Sequence, residues 1–377
     1  METWKRTVYI SLVCVFCTAF GVSQLAPILP LYFHDLGVQT PEAMSLWSGL
    51  ATGATYIIVC LAAPFWGRVA DKKGRKITLI RSSFGMALCN VLIAFQTTPE
   101  GVVLIRLVQG LVSGFYSASI TLIASESPIE RTGWALGLLA SANLAGSLIG
   151  PLLGGYIADT VGIRNDFIIV GTLMGLAGVL ATIFIHENYV PQPNPEKLSI
   201  RKLKEQIPEF NSIVALCVAS FIYAICIMSL QPVISVYIKG IVPSDTENLA
   251  FIAGAVFSAM GIAQLMSSSP LGKLVDKIGP RKVLVVSLIY VGILNIPQAY
   301  VSDVYQLAII RFLQGFGLGG MLPALNTYLS SKTPREFTGQ VFSYNPFWWC
   351  SSIMIGFFLY IFILFEFEAN PESGNNK

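Results

Sequence analysis

The sequence predicts an all-α membrane protein built as two homologous helical halves, with about eleven transmembrane helices. Composition is the first reason. Hydrophobic residues make up 54% of the 377-residue chain and charged residues 12%, with mean hydropathy +0.66; a soluble domain carries about 25% charged residues. The second reason is length: the apolar residues come in runs of about 20, enough to cross about 30 Å of hydrocarbon. The third is repetition. Gly67-Arg68-Val69-Ala70-Asp71-Lys72-Lys73-Gly74 returns as Gly272-Lys273-Leu274-Val275-Asp276-Lys277-Ile278-Gly279, an offset of 272 − 67 = 205. The same offset carries Arg106-Leu107-Val108-Gln109-Gly110 onto Arg311-Phe312-Leu313-Gln314-Gly315, and Pro27 and Tyr32 onto Pro232 and Tyr237. Matches at one spacing without slippage mean two copies of one structural unit. A duplicated helical bundle in lipid is the plan of a transporter whose halves rock about a midplane site.

The elements follow in order. The first apolar run, 8–33, begins after Lys5 and Arg6; it is too long for a signal-peptide core and no small-residue cleavage site follows, so it reads as an uncleaved span. Runs at 44–66, 77–95, 101–123, 133–157 and 166–185 complete a six-helix N-terminal half, 1–186. The stretch 187–210 is polar, with Pro191, Pro193, Pro195 and mixed charges from Lys197 to Glu205, and reads as a cytoplasmic linker. Runs at 211–238, 249–270, 281–299, 305–330 and 340–365 form a C-terminal half, 211–377, with five helices. Here the copies diverge: after Asn345 neither a glycine-rich helix nor a sixth span follows, and the expectation is a shortened chain, its twelfth helix missing, with a non-cytoplasmic tail. Most Lys and Arg residues lie in the N-terminus and in every second loop, as at Lys72, Lys73, Arg75, Lys76, Arg201, Lys202, Lys277, Arg281 and Lys282. The positive-inside rule therefore sets the N-terminus in the cytoplasm and the chain in the cytoplasmic membrane.

All seven cysteines fall in apolar stretches. Cys14 and Cys17 have C-x-x-C spacing, but no His or carboxylate stands near, and they read as small buried hydrophobes with neither a metal site nor a disulfide framework implied. No G-x-x-x-x-G-K-[ST] sequence is present, no nucleophile–base cluster appears, and the net charge of +3 says nothing of nucleic acid. An enzyme is disfavoured, no cofactor is implied, and transport must draw on an ion gradient or the substrate's own.

The repeated loop sequence spaces Gly67, Gly74, Gly272 and Gly279 around Asp71 and Asp276. The glycines allow a tight connection, and the aspartates sit where a helix N-terminus or an arginine can meet them. Arg75 is expected to pair with Glu126 or Glu130. Arg106 and Arg311 are read as the basic residues placed within spans; such a residue costs at least about 2.5–3.5 kcal/mol at a helix centre unless paired or snorkelling. Arg106 is expected to face the bundle interior, and Arg311 either to do so or to snorkel. Gly146, Gly150, Gly154 and Gly155 strip side chains from one helix, and Pro151 breaks a backbone bond there, which suits a hinge or close helix packing. For proton coupling Asp35, beside His34 at the outer end of the first span, is the acidic candidate, the other acids being assigned to loops. Scattered polar and aromatic residues, Gln24, Tyr116, Asn143, Tyr223, Gln231, Gln264 and Asn326, suit a large apolar cavity for lipophilic molecules better than a densely polar sugar site.

The stretch from Gly67 to Lys76 resembles the loop signature of the major facilitator superfamily, and Arg106, Gln109 and Gly110 resemble its fourth-helix motif. Gly146-Ser147-Leu148-Ile149-Gly150-Pro151-Leu152-Leu153-Gly154-Gly155 resembles the fifth-helix motif of its proton-coupled drug exporters. Trp66-Gly67, Gly133-Trp134-Ala135-Leu136-Gly137 and Phe342-Ser343-Tyr344-Asn345 are similar to the bacterial multidrug-efflux branch. The resemblance covers about residues 1–345. It implies alternating access between two six-helix halves, proton-driven export of small molecules, and a monomer in membrane lipid. A sugar or metabolite carrier of the same fold, or an inactive remnant, are the other readings.

Overall fold

The computed structural model describes residues 3–187, 214, 218, 233–243, 246, 248–298 and 300–332. These form α1 (Thr3–Ser23), α2 (Leu25–Asp35), α3 (Pro41–Lys73), α4 (Arg75–Ala94), α5 (Pro99–Val112), α6 (Phe115–Glu126), α7 (Ile129–Val161), α8 (Ile163–Phe184), α9 (Leu249–Ile278), α10 (Pro280–Gln298) and α11 (Val304–Lys332). A further helical stretch occupies 233–241. Among the described residues every regular element is a helix, and 8 helical segments are long and apolar enough to cross a membrane. The first span is α1 with α2, joined at Gln24, and the fourth is α5 with α6. The expected eleventh span and the tail lie outside the described residues, as do Tyr223 and Gln231.

The helices outrun the apolar stretches that announced them. α3 continues to Lys73, so Gly67 to Lys73 is helix and not loop, and only Gly74, at φ 92°, makes the turn. Gly279 repeats it at φ 90°, after α9 has carried Gly272 to Ile278 as helix. An L side chain rarely adopts this backbone, so glycine is required there. Among the described residues nothing lies within 4 Å of a Cβ built at Gly67 or Gly272.

The duplication is realised as contacts. Tyr32 Oη donates to the Ile93 carbonyl at 2.7 Å and to that of Gln96 at 3.3 Å. Tyr237 Oη donates to the carbonyl of Val301 at 2.5 Å, and 301 − 96 = 205. A Cβ on Gly110 would strike the Thr55 carbonyl; one on Gly315 would strike that of Met260, and again 260 − 55 = 205. Both halves thus bring their second and fourth spans to backbone contact at the same register.

Two ends of the bundle are distinct. Gly74 shares its end with the N-terminus and the start of the linker: Arg6 Nη2 lies 2.8 Å from His186 Nδ1, and the Glu187 carboxylate accepts from the backbone N–H groups of Arg75 and Lys76, both at 2.8 Å. Glu187 therefore caps α4; the side chain of Glu130, one expected partner of Arg75, lies outside the described residues. The opposite end carries Gly37, Gln96 and Gly162, with Arg164 Nη2 donating to the Gln96 carbonyl at 3.4 Å.

Candidate functional site

The halves meet along α7 and α9. The glycine-rich stretch of α7 has two faces. On one, a Cβ at Gly146 or Gly150 would lie 2.5 Å from the carbonyl oxygen of Phe16 or Phe20, and one at Gly154 2.7 Å from Gln24 Cβ. These positions, spaced four apart, seat α7 against the first span of its own half. The other face meets the second half. A Cβ on Gly155 would lie 2.7 Å from the Ala250 carbonyl carbon, and one on Gly254 2.7 Å from that of Pro151. Ser258 Oγ donates to the Leu148 carbonyl at 2.7 Å. The rings of Tyr156 and Phe251 meet edge to face, centroids 6.3 Å apart. Small residues on both helices let the backbones touch.

At the Gly162 end this contact closes on a carboxylate. Asp159 accepts from Ala250 N at 3.2 Å and from Phe251 N at 2.7 Å. Those amides open α9 and have no partner within it, so an acid from the first half caps a helix of the second and meets the positive end of its dipole.

Arg106 and Arg311 are 5% and 3% exposed. Arg106 Nη1 donates to Gln109 Oε1 at 2.7 Å, one turn on. Arg311 does not snorkel. It lies over Phe257, 5.9 Å from the ring centroid, with Nη1 3.5 Å from Met260 Sδ, while Gln314 turns to Asn295 at 2.8 Å. A third arginine within a span, Arg81, was missed. Its guanidinium stacks on Trp66 at 3.5 Å and donates to the carbonyls of Leu111 (3.0 Å) and Ser113 (2.8 Å). Trp66 Nε1 adds a bond to Leu111 O at 2.8 Å. These carbonyls are freed where the fourth span breaks at Ser113-Gly114, Gly114 being left-handed at φ 112°. The break lies just past Gly110, and Arg81 and Trp66 cap it.

The acids also need correction. Asp159 and Asp166 are not in loops: Asp159 lies in α7, and Asp166, in the first turn of α8, is fully buried. Gln24 Nε2 donates to Asp166 Oδ2 at 3.0 Å. Gln24 is equally buried and serves this contact between helices. His34 and Asp35 stand 3.9 Å apart on the rim, 39% and 57% exposed. Asp166 had one signal in the sequence: it opens an apolar run.

Tyr116 on α6, Asn143 on α7 and Gln264 on α9 are partly exposed, and no hydrogen bond joins their side chains. The side chains of Asp71, Asp276 and Asn326 lie outside the described residues. Cys14 and Cys17 are buried, Cys14 Sγ donating to the Ala177 carbonyl at 3.2 Å, and among the described residues no cluster of metal-ligating side chains forms.

Comparison with known proteins bears on the family and the fold. A family model described as Major Facilitator Superfamily matches residues 11–242 and 216–369. Proteins named multidrug resistance protein MdtG are similar along most of the chain. The one from Salmonella dublin is 38% identical over 342 residues, 91% of this chain and 84% of its own. The one from Dickeya zeae is 39% identical over the same shares. Among solved structures, a bacterial homologue of the human lysosomal transporter Spinster, crystallised inward-facing and unoccupied, superposes with TM-score 0.76 at 13% identity over 95% of this chain and 81% of its own.

Proposed function

Because the chain belongs to the major facilitator superfamily, we propose that it exports lipophilic small molecules across the cytoplasmic membrane in exchange for protons. The observation that carries this reading is the placement of Gly146 to Gly155: the stretch that resembles the exporters' fifth-helix motif is the one α7 inserts between the first span and the other half. The MdtG relatives, named for multidrug resistance, support the substrate class. With the N-terminus cytoplasmic, the Gly162 end faces outward, and the Asp159 cap on α9 holds that side shut. Opening it requires α7 and α9 to part, while the cytoplasmic side closes at the Gly74 and Gly279 turns, with Asp71 and Asp276 on the helix ends before them and Arg75 after the first. Pro151 and Gly155 act as the surface on which the halves roll, while Gly146, Gly150 and Gly154 seat α7 against the first span. Arg106 supplies a fixed interior cation for coupling. Tyr116, Asn143 and Gln264 contribute to an apolar substrate path, and the chain works as a monomer.

The test is ethidium efflux from drug-sensitive bacteria expressing the chain, and ethidium transport into liposomes under an imposed pH gradient. Transport driven by the gradient and abolished by a protonophore is expected. Transport that ignores the gradient would overturn the proton-driven reading, and failure to move ethidium or other lipophilic dyes while moving a sugar would overturn the substrate class.

A further inference from the structure

Asp166 and Gln24 come from positions 142 residues apart and meet with both side chains fully buried. One hydrogen bond is made, from Gln24 Nε2 to Asp166 Oδ2. Each side chain keeps a second oxygen, Asp166 Oδ1 and Gln24 Oε1, and among the described residues neither has a partner. Both are acceptors when the carboxyl is ionised, so an ionised Asp166 leaves two buried oxygens without a donor. A single proton cures both. A carboxylic acid and a primary amide form a closed ring: the amide N–H donates to one carboxyl oxygen, and the O–H on the other donates to the amide oxygen. The two orphaned atoms are the pair that the second bond would join.

Among the described residues no charged side chain bonds to Asp166. Arg164, on the same first turn, is exposed and donates to Gln96 O. From α7, Asp159 is committed to Ala250 and Phe251. From α2, Tyr32 donates to Ile93 O, and His34 and Asp35 are exposed at the rim. Along α4 and α1 the basic residues Arg75, Lys76, Arg81, Lys5 and Arg6 lie toward the opposite, Gly74 end.

We propose that Asp166 is a proton-binding site, closed by Gln24 when loaded. Loading adds one proton from water to Asp166 Oδ1 and makes the second bond of the ring. Release returns that proton to water and sets Oδ1 against Gln24 Oε1, loosening the joint between the halves of the first span. That joint rests on Gly154, where a Cβ would meet Gln24, and the next residue, Gly155, touches Ala250 of the second half. The proton is thereby felt at the contact that must open.

This rests on the proton-driven reading for its role in transport, but the site itself is read without transport. In infrared difference spectra of the purified full chain across a pH titration, a protonated-carboxyl C=O band is expected, lost in Asp166→Asn and moved in frequency in Gln24→Leu, which keeps the acid and removes the amide. A parent without such a band, or a band unchanged in both variants, would overturn the proposal. In liposomes, Asp166→Asn is expected to lose ethidium transport driven by a pH gradient by roughly tenfold or more while ethidium counterflow persists, and Asp166→Glu to recover part of the drive. Asp166→Asn driven as well as the parent would overturn the coupling role. A parent indifferent to the gradient would sink the proton-driven reading and leave the infrared outcome to decide on Asp166.

Discussion

Asp159 is one carboxylate serving two backbone amides of the opposite half, so its loss is read in the balance between closed and open states. A helix-capping side chain is worth about 0.5–2 kcal/mol, a shift of about 2- to 30-fold in that balance. Asp159→Ala should therefore raise the labelling rate of a cysteine at Phe251 by impermeant maleimide added from outside, with Asp159→Asn in between because the amide oxygen still accepts. Unchanged labelling in Asp159→Ala would remove it from the gate. Arg106 is the other residue whose environment sets its consequence. Its charge is buried, and its Nη1 donates to the neutral Gln109. Arg106→Lys should keep a measurable part of gradient-driven efflux, and Arg106→Ala should lose it at equal expression. Equal activity of both with the parent would take Arg106 out of coupling.

At the scale of the element, the fourth span is two helices because the chain breaks at Gly114, and the break persists because Arg81 and Trp66 take up carbonyls that α5 can no longer bond. Inside the bilayer, where no water replaces the donor, a backbone acceptor left unmet costs several kcal/mol. Arg81→Ala should lower the midpoint of thermal unfolding in detergent, and Trp66→Phe should lower it less, since a ring for the cation remains. Equal midpoints across the three proteins would show that the break needs no cap. α7 follows a different rule, with no room for side chains on either face. A valine at Gly254 meets Pro151 backbone, which cannot swing aside as a side chain can, so Gly254→Val should hinder closure of the Gly162 end. The check is the same cysteine at Phe251, expected to label faster in that background; a rate equal to the parent's would argue that α7 and α9 do not approach this closely in the membrane.

For the whole molecule, two halves joined at α7 and α9 should stop transport when tied together there. Tyr156 and Phe251 face each other across the joint and are 56% and 38% exposed. Cysteines at both positions should cross-link under oxidation, arrest ethidium efflux, and release it on reduction. Cross-linking without arrest would mean that this contact persists through the cycle and that the halves part elsewhere.

What the sequence determined by itself was the plan: helices in lipid, their number in the first half, and the duplication. These are legible because hydropathy acts locally and because a repeat at offset 205 carries its contacts with it, so Tyr32 and Tyr237 find equivalent carbonyls. The glycine-rich stretch was likewise visible, since only a close approach explains so many missing side chains. The sequence misjudged the ends of elements. Polar, charged turns such as Asp71 to Lys73 look like loop, yet a helix emerging from the bilayer keeps its own backbone bonds and runs on until Gly74 permits the turn. What only the tertiary structure decided was the partner of each polar group. Asp159 and Asp166, a few residues either side of Gly162, read as loop acids, and only Asp166's place at the start of an apolar run sets it apart. Folding brings Ala250 to one and Gln24 to the other, across 91 and 142 residues of chain. Burial and hydrogen bonding are set by those distant neighbours, and no pattern along the chain encodes them.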